Sequence, residues 1–208
     1  MDDASKANRR PMPRRGGIRT SSETKLLDAA EDLFFVRGIA ATPIDAVIER
    51  AGVSAATLYR GYESKEALLG AALARRQRQW IDTWDAAIAR ETSDAARLLA
   101  VFPAIEDVRR GPRGSRWCAF LGSAAEYAGT SEEVSEAVRA DTLALRRRLT
   151  DLAVPLVGDA GAAELAERLL VVVTGALAMR LRESGAAASV TARAIAEVLV
   201  ADAVGAAR

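Results

Sequence analysis

From Thr20 onward, apolar residues return at every third or fourth position, almost without interruption. That is the period of amphipathic helices packed on one another, and no stretch alternates as a half-buried strand would. Leu26, Ala30, Leu33 and Phe34 mark a first helix, opened by a candidate capping box, Thr20-x-x-Glu23, and closed by Gly38. Thr42 as N-cap and Pro43 at the first helical position open a second, with Ile44, Val47, Ile48 and Ala51 as its apolar face and Gly52 as its stop. Ser54 caps a short third helix carrying Leu58, and Ser64 caps a fourth over about 65–90. Further helices are expected over about 94–108, 115–128, 132–156, 162–183 and 191–204, divided by loops rich in Gly, Pro and Ser. β-Branched residues cluster only at Val171 to Thr174, inside a longer apolar helix. The expected fold class is all-α.

Composition narrows the chemistry. There is no histidine, which removes imidazole-based zinc sites and any triad with a histidine base. The single cysteine, Cys118, rules out an intrachain disulfide and suits a reducing compartment. No glycine loop for cradling phosphates is present, so no nucleophile–base pair emerges and neither an enzyme, a metal site nor a cofactor is expected. The longest nearly unbroken apolar run, Leu169 to Met179, is far short of the roughly 20 residues that cross a bilayer. No apolar leader follows Met1. The expectation is a cytoplasmic protein without membrane attachment.

Net charge is uninformative, 29 − 28 = +1, but its distribution is not. Residues 1–20 hold Lys6, Arg9, Arg10, Arg14, Arg15 and Arg19 against Asp2 and Asp3, 6 − 2 = +4, and Pro11, Pro13, Gly16 and Gly17 break any period. Such a segment builds no core and is expected to be a disordered basic arm. It is either a solvated tail or an arm that folds onto DNA phosphates or into a minor groove.

Residues 42–62 form one compact unit, two short helices joined by Ala51-Gly52-Val53. Gly52 can take the left-handed conformation a sharp turn needs, and Val53 can plug the angle between the helices. This is the layout of a helix-turn-helix, whose second helix enters the major groove, though many helical hairpins share it. The string Ala51-Gly52-Val53-Ser54-Ala55-Ala56-Thr57-Leu58-Tyr59, followed by Tyr62-Glu63-Ser64-Lys65-Glu66-Ala67-Leu68, closely resembles the DNA-binding region of the TetR family of transcriptional regulators. The first helix, with Leu26-Leu27-x-Ala29-Ala30-x-x-Leu33-Phe34 and then Gly38, fits as well. The resemblance covers about residues 20–70. It implies a helix-turn-helix head over 21–70 and a larger helical domain over 71–208 that binds a small molecule and dimerises. It further implies that ligand binding releases a double-stranded DNA operator.

Residue by residue, the resemblance puts Thr42 at a phosphate, Ser54, Ala55, Ala56 and Thr57 on or before the recognition helix, and Tyr59 and Lys65 on the DNA backbone. Helix amino ends at Thr42, Ser54 and Ser64 present free N–H groups to an anion, although capping alone accounts for the two serines. Three positions depart from the family pattern. Gly61 stands where tyrosine or histidine is usual, Ile48 where a small alanine is common, and Pro43 where a second threonine is common. Arg60 stands beside the gap left by Gly61 and can reach guanine O6 and N7. Residues 21–66 carry five basic and eight acidic side chains, 5 − 8 = −3, so Arg14, Arg15 and Arg19 of the arm are expected to assist.

Beyond the head, Trp80 and Trp84 share a helix face, and Phe102, Trp117, Cys118, Phe120, Leu121 and Tyr127 follow. This aromatic series is either plain core or the lining of an effector pocket. Glu126 interrupts an apolar helix, either facing solvent or meeting a cationic ligand, and Cys118 reads as an inert buried thiol. Leu169, Leu170, Val172, Val173, Ala176, Leu177 and Leu181 leave the eighth helix apolar nearly all round, which requires cover on both sides. With Ile195, Val198 and Leu199 on the ninth, two such helices from each subunit make a four-helix homodimer interface. The reading is a ligand-responsive DNA-binding regulator, a repressor released by a hydrophobic or amphipathic effector. The alternative is a helical dimeric interaction protein that has lost specific DNA reading.

Overall fold

In the computed structural model, residues 18–111, 118–127, 131–182 and 186–207 are described. Among them are helices α1 (Thr20–Arg37), α2 (Ile44–Ala51), α3 (Ala55–Gly61), α4 (Lys65–Ala89), α5 (Asp94–Leu99), α6 (Val101–Arg110), α7 (Ala119–Glu126), α8 (Glu132–Met179) and α9 (Ala187–Ala206), with no strand.

The serine caps form where the sequence places them. Ser54 and Ser64 accept the N–H of Thr57 and Ala67, three residues on, and so begin α3 and α4. Two other starts differ from expectation. Arg19, not Thr20, is the extended residue ahead of α1, so the capping box does not form. Pro43, not Thr42, occupies the cap of α2. Thr42 is drawn into the head instead, its hydroxyl donating to the Gly38 carbonyl at 2.8 Å.

The single helix expected over 94–108 is two. Pro103 has no N–H for the Leu99 carbonyl and its ring crowds that turn, so α5 ends at Leu99 and α6 restarts at Val101. At the other end α9 begins at Ala187, ahead of Thr191, because Ala187 and Ala188 are strong helix formers that need no side-chain cap. The two helices expected within 132–183 appear as two arms of α8, joined at Gly158 in a left-handed-φ conformation (φ 69°, ψ 173°) three residues after Pro155. Arg146 and Glu167 bond across the arms. In a straight helix those two residues would stand about 31 Å apart, so the arms must fold back on each other.

Two apolar clusters result. The head cluster joins Leu26, Phe34, Val47 and Leu58 to Leu68, Leu69 and Leu73 of α4 and to Phe120 of α7. The body cluster joins Trp84, Leu98, Phe102, Leu149, Leu165 and Val173 to Ala196 of α9. α4 runs through both, so the two parts share a rigid rod.

Candidate nucleic-acid interface and body cavity

The turn between α2 and α3 is set by Gly52, whose backbone is left-handed (φ 63°, ψ 39°) and whose N–H returns to the Glu49 carbonyl. α3 is pinned to the head by Leu58, which is wholly buried. Its other side is free: Ala55, Ala56, Tyr59 and Arg60 are exposed and Thr57 is half-buried. The Ser54 and Thr57 hydroxyls bond each other at 2.9 Å, fixing both at the front of that face. Arg19 is exposed beside the head, whereas Arg14 and Arg15 lie outside the described residues.

Two residues expected at DNA are turned toward the protein. Thr42 is only 2 % exposed and its hydroxyl is spent on backbone carbonyls, so its side chain is not presented to a phosphate. Lys65 lies over the Phe34 ring, 5.6 Å from its centre, and its ammonium donates to the Ile39 carbonyl at 2.5 Å. Burial lowers the Lys65 pKa, with Glu66 and Glu126 pulling the other way. An ammonium has three protons, so one accepted bond leaves donors for a second partner.

Glu126 is neither a surface residue without contacts nor a ligand of the cavity. From the end of α7 its carboxylate accepts the N–H of Ile39 at 3.0 Å and that of Ala40 at 2.5 Å. These are the amides of the α1–α2 connection, so a body-side helix caps the head. Tyr127 adds a hydroxyl bond to Glu66 at 3.3 Å. A second tie crosses from α4 to α1. Glu31, almost fully buried, receives Arg75 at 2.6 Å and Arg76 at 3.6 Å, and Arg76 lies 5.6 Å from the centre of the Phe35 ring.

Between α4, α6, α7 and α8 the body opens into a cavity of about 90 Å³ that is open to solvent at its mouth. Trp80, Cys118 and Phe120 line it as the sequence suggested, together with Ile105, Leu145, Val173 and Leu177. Trp84 stacks obliquely on Trp80, centroids 5.4 Å apart, and Phe102 lies in the body core; neither lines this cavity, nor does Leu121. Trp117 lies outside the described residues. Burial raises the Cys118 pKa, in keeping with an unreactive thiol.

Sequence reasoning missed the charged lining: Arg76, Arg109, Asp141 and Arg180. Arg109 is paired with Glu106 at 2.7 Å. Burial opposes ionisation of Glu106, but bonds from Arg109 and Ser189 outweigh it and hold that carboxyl below its usual range. Asp141 has no such help, and burial pushes its pKa up to about 6. Among the described residues no group of metal-ligating side chains gathers, and no helix is long and apolar enough to cross a membrane.

The family profile described as bacterial regulatory proteins of the tetR family matches residues 26–72, the head and the first turns of α4. Over 88% of its length the chain superposes on a TetR-family transcriptional regulator of Streptomyces coelicolor, covering 90% of that protein at 30% identity and a TM-score of 0.79. It belongs to the TetR family. The fold is shared by a TetR-family regulator of Cytophaga hutchinsonii at 17% identity, 89% and 96% coverage and a TM-score of 0.75. Sequence similarity extends to an uncharacterized HTH-type transcriptional regulator of Mycobacterium tuberculosis, 34% identical over 114 residues. That match spans 53% of this chain and 56% of the relative. The chain is a TetR-family transcriptional regulator with a helix-turn-helix head, and not an enzyme.

As a TetR-family head it accommodates its departures by repacking. Ile48 is half-buried against the head core. At Gly61 the missing side chain leaves room for Ile18: a Cβ there would stand 2.8 Å from Ile18 Cδ1. The absence of a side chain at this position therefore seats Ile18, two residues ahead of α1, against the end of α3. In the TetR-family body, Leu177 turns inward to the cavity, while Val171, Val190, Ile195 and Val198 stay exposed. A Cβ at Gly175 would meet nothing within 4 Å, so that glycine is not required by packing within the chain.

Proposed function

We propose that the protein is a homodimeric repressor that reads an inverted-repeat operator through α3 and is released by an amphipathic effector held in the body cavity. One observation carries the reading: α3 is divided between a buried anchor, Leu58, and an open face of Ala55, Ala56, Tyr59 and Arg60. A helix held by one side and bare on the other is what insertion into a major groove requires. Tyr59 and Lys65 hold phosphates, Ser54 and Thr57 fix the front of the helix, and Arg60 reads a guanine edge. The acidic head is offset by the basic arm, with Arg14, Arg15 and Arg19 on the backbone or in the adjoining minor groove. Thr42 contributes only through the chain around it.

Dimerisation uses the second arm of α8 with α9. Val171 and Val198 are about 70 % exposed in the single chain, and a large apolar surface of this kind needs a partner. The effector acts through the two ties that join cavity and head, Arg76 to Glu31 and α7 to Ile39 and Ala40. Sequencing of DNA selected by the purified full-length protein tests the reading. The expected result is an inverted repeat with half-sites about one helical turn apart. Recovery of no enriched sequence would instead make the chain a helical dimeric interaction protein without specific DNA reading.

A further inference from the structure

The cavity carries more than an apolar wall, and its polar groups are not alike. Three arginines line it, and each has a counter-charge supplied by the protein. Arg76 pairs with Glu31, and Arg109 with Glu106. Arg180 follows the last turn of α8, where free carbonyl ends favour a cation, and it feels the Glu106 carboxylate. Asp141 is the exception. It stands on the inward stripe of α8 between Val138 and Leu145, at a position where that helix otherwise presents apolar side chains. Among the described residues it has no hydrogen bond and no ion pair. A carboxylate facing an apolar cavity without a donor is costly to keep charged.

Its surroundings indicate what is missing. Asp141 also borders a smaller adjoining cleft with Gln77, Trp80, Trp84 and Arg148. Arg148 is bonded to Asp85 through one end of its guanidinium and lies 5.0 Å from the centre of the Trp84 ring, while its Nε, in the same cleft, makes no hydrogen bond among the described residues. Trp80 borders both spaces, and among the described residues no cation lies over it. A carboxylate without a bonded partner, bordering the same cavity as an indole that carries no cation, is a setting that can receive an ammonium group. Among the described residues no arginine bonds the Asp141 carboxyl, and burial alone accounts for its raised pKa.

We propose that the effector is an amphipathic organic amine, its protonated nitrogen paired with Asp141 beside Trp80 and its apolar part laid along Phe120, Leu145 and Val173. This deepens the effector reading above and rests on it. A ligand with an acidic head would turn toward Arg180 instead, so the charge preference decides the assignment. Binding is proton-linked. The charged or titratable groups bordering the same spaces as Asp141 are Arg76 of α4, Arg109 of α6, Cys118 ahead of α7, Arg180 after α8 and, on its own helix, Arg148.

Three probes with the same ten-carbon chain, decylamine, decanol and decanoate, test this at submicellar concentration. Melting temperature and tryptophan fluorescence are read on the full-length protein and on Asp141→Asn. Decylamine is expected to bind at least tenfold more tightly than decanol at pH 7.5. It should lose about tenfold in affinity on lowering the pH to 5, and lose the same advantage in D141N, with decanol unchanged. The pH profile of the wild-type protein stands without the variant. Preference for decanoate, or an amine affinity indifferent to both pH and D141N, overturns the amine assignment and leaves the cavity as an effector site. Binding of none of the three removes the cavity as an effector site, and the amine assignment with it.

Discussion

Glu126, at the end of α7, accepts the backbone N–H of Ile39 at 3.0 Å across 87 positions of sequence. The adjoining Ala40 N–H reaches the same carboxylate, so the α1–α2 connection is held by a side chain of the body. Bonds to a charged acceptor contribute about 1.5–3 kcal/mol each when well made. Glu126→Ala should therefore destabilise the protein by about 1–3 kcal/mol and speed hydrogen exchange at Ile39 and Ala40 far more than at Leu58. Equal protection of those two amides in the variant would show that the bond does not hold the connection.

Asp141 gives a stability prediction with a definite sign. Its folded pKa, about 6, lies above the ordinary 3.8. The folded state thus binds this proton more tightly than the unfolded one. The group's favourable contribution is complete below about pH 4 and is lost as pH rises through 6. A shift of about two units corresponds to about 3 kcal/mol. Without ligand, Asp141→Asn should be more stable than wild type by up to about that amount at pH 7, and the difference should vanish near pH 4. Urea titrations of both proteins at the two pH values measure it. A constant difference would mean that Asp141 finds a donor in the folded chain.

Gly61 and Ile18 make a paired prediction. Alanine favours helix over glycine by up to about 1 kcal/mol, but its Cβ would press on the far end of Ile18 at 2.8 Å. Gly61→Ala should push Ile18 aside with little change in stability and weaken DNA binding through the arm. Gly61→Ala combined with Ile18→Ala should relieve the contact without restoring affinity. Removal of residues 1–17 should then cost less in the Gly61→Ala background than in wild type, measured as the salt dependence of binding.

The exposed faces of α8 and α9 predict the effect of charge on assembly. Val171→Glu with Val198→Glu should give a monomer in sedimentation and a loss of affinity for two half-sites, with the helical content kept. Gly175→Leu should act in the same direction, because nothing within the chain opposes its side chain. A double variant that remains fully dimeric would move the interface elsewhere.

The helical plan was legible in spacing, caps and glycine stops, because those signals are local. Pro103 carried the α5–α6 break in plain sight and was outweighed by the surrounding period. The roles of Glu126, Arg76 and Asp141 were hidden for a different reason: each depends on a partner, or on the lack of one, far away in sequence. A partial signal existed. Arg76 lies between Leu73 and Trp80 on α4, and Asp141 between Val138 and Leu145 on α8, so both interrupt inward stripes at helical spacing. The fate of Thr42 was not readable, since a threonine before proline serves equally as a helix cap or as a buried donor to the preceding turn.

Arg60 tests the central claim, that α3 reads sequence. It is exposed on the recognition helix beside Gly61, with no competing partner among the described side chains. Affinities of wild type and Arg60→Ala are compared on the selected operator and on scrambled DNA at one salt concentration. The account predicts a loss of about 1–3 kcal/mol on the operator, relaxed preference at one position per half-site, and little change on scrambled DNA. An equal loss on both would contradict it, making Arg60 a phosphate clamp and removing base reading from this side chain.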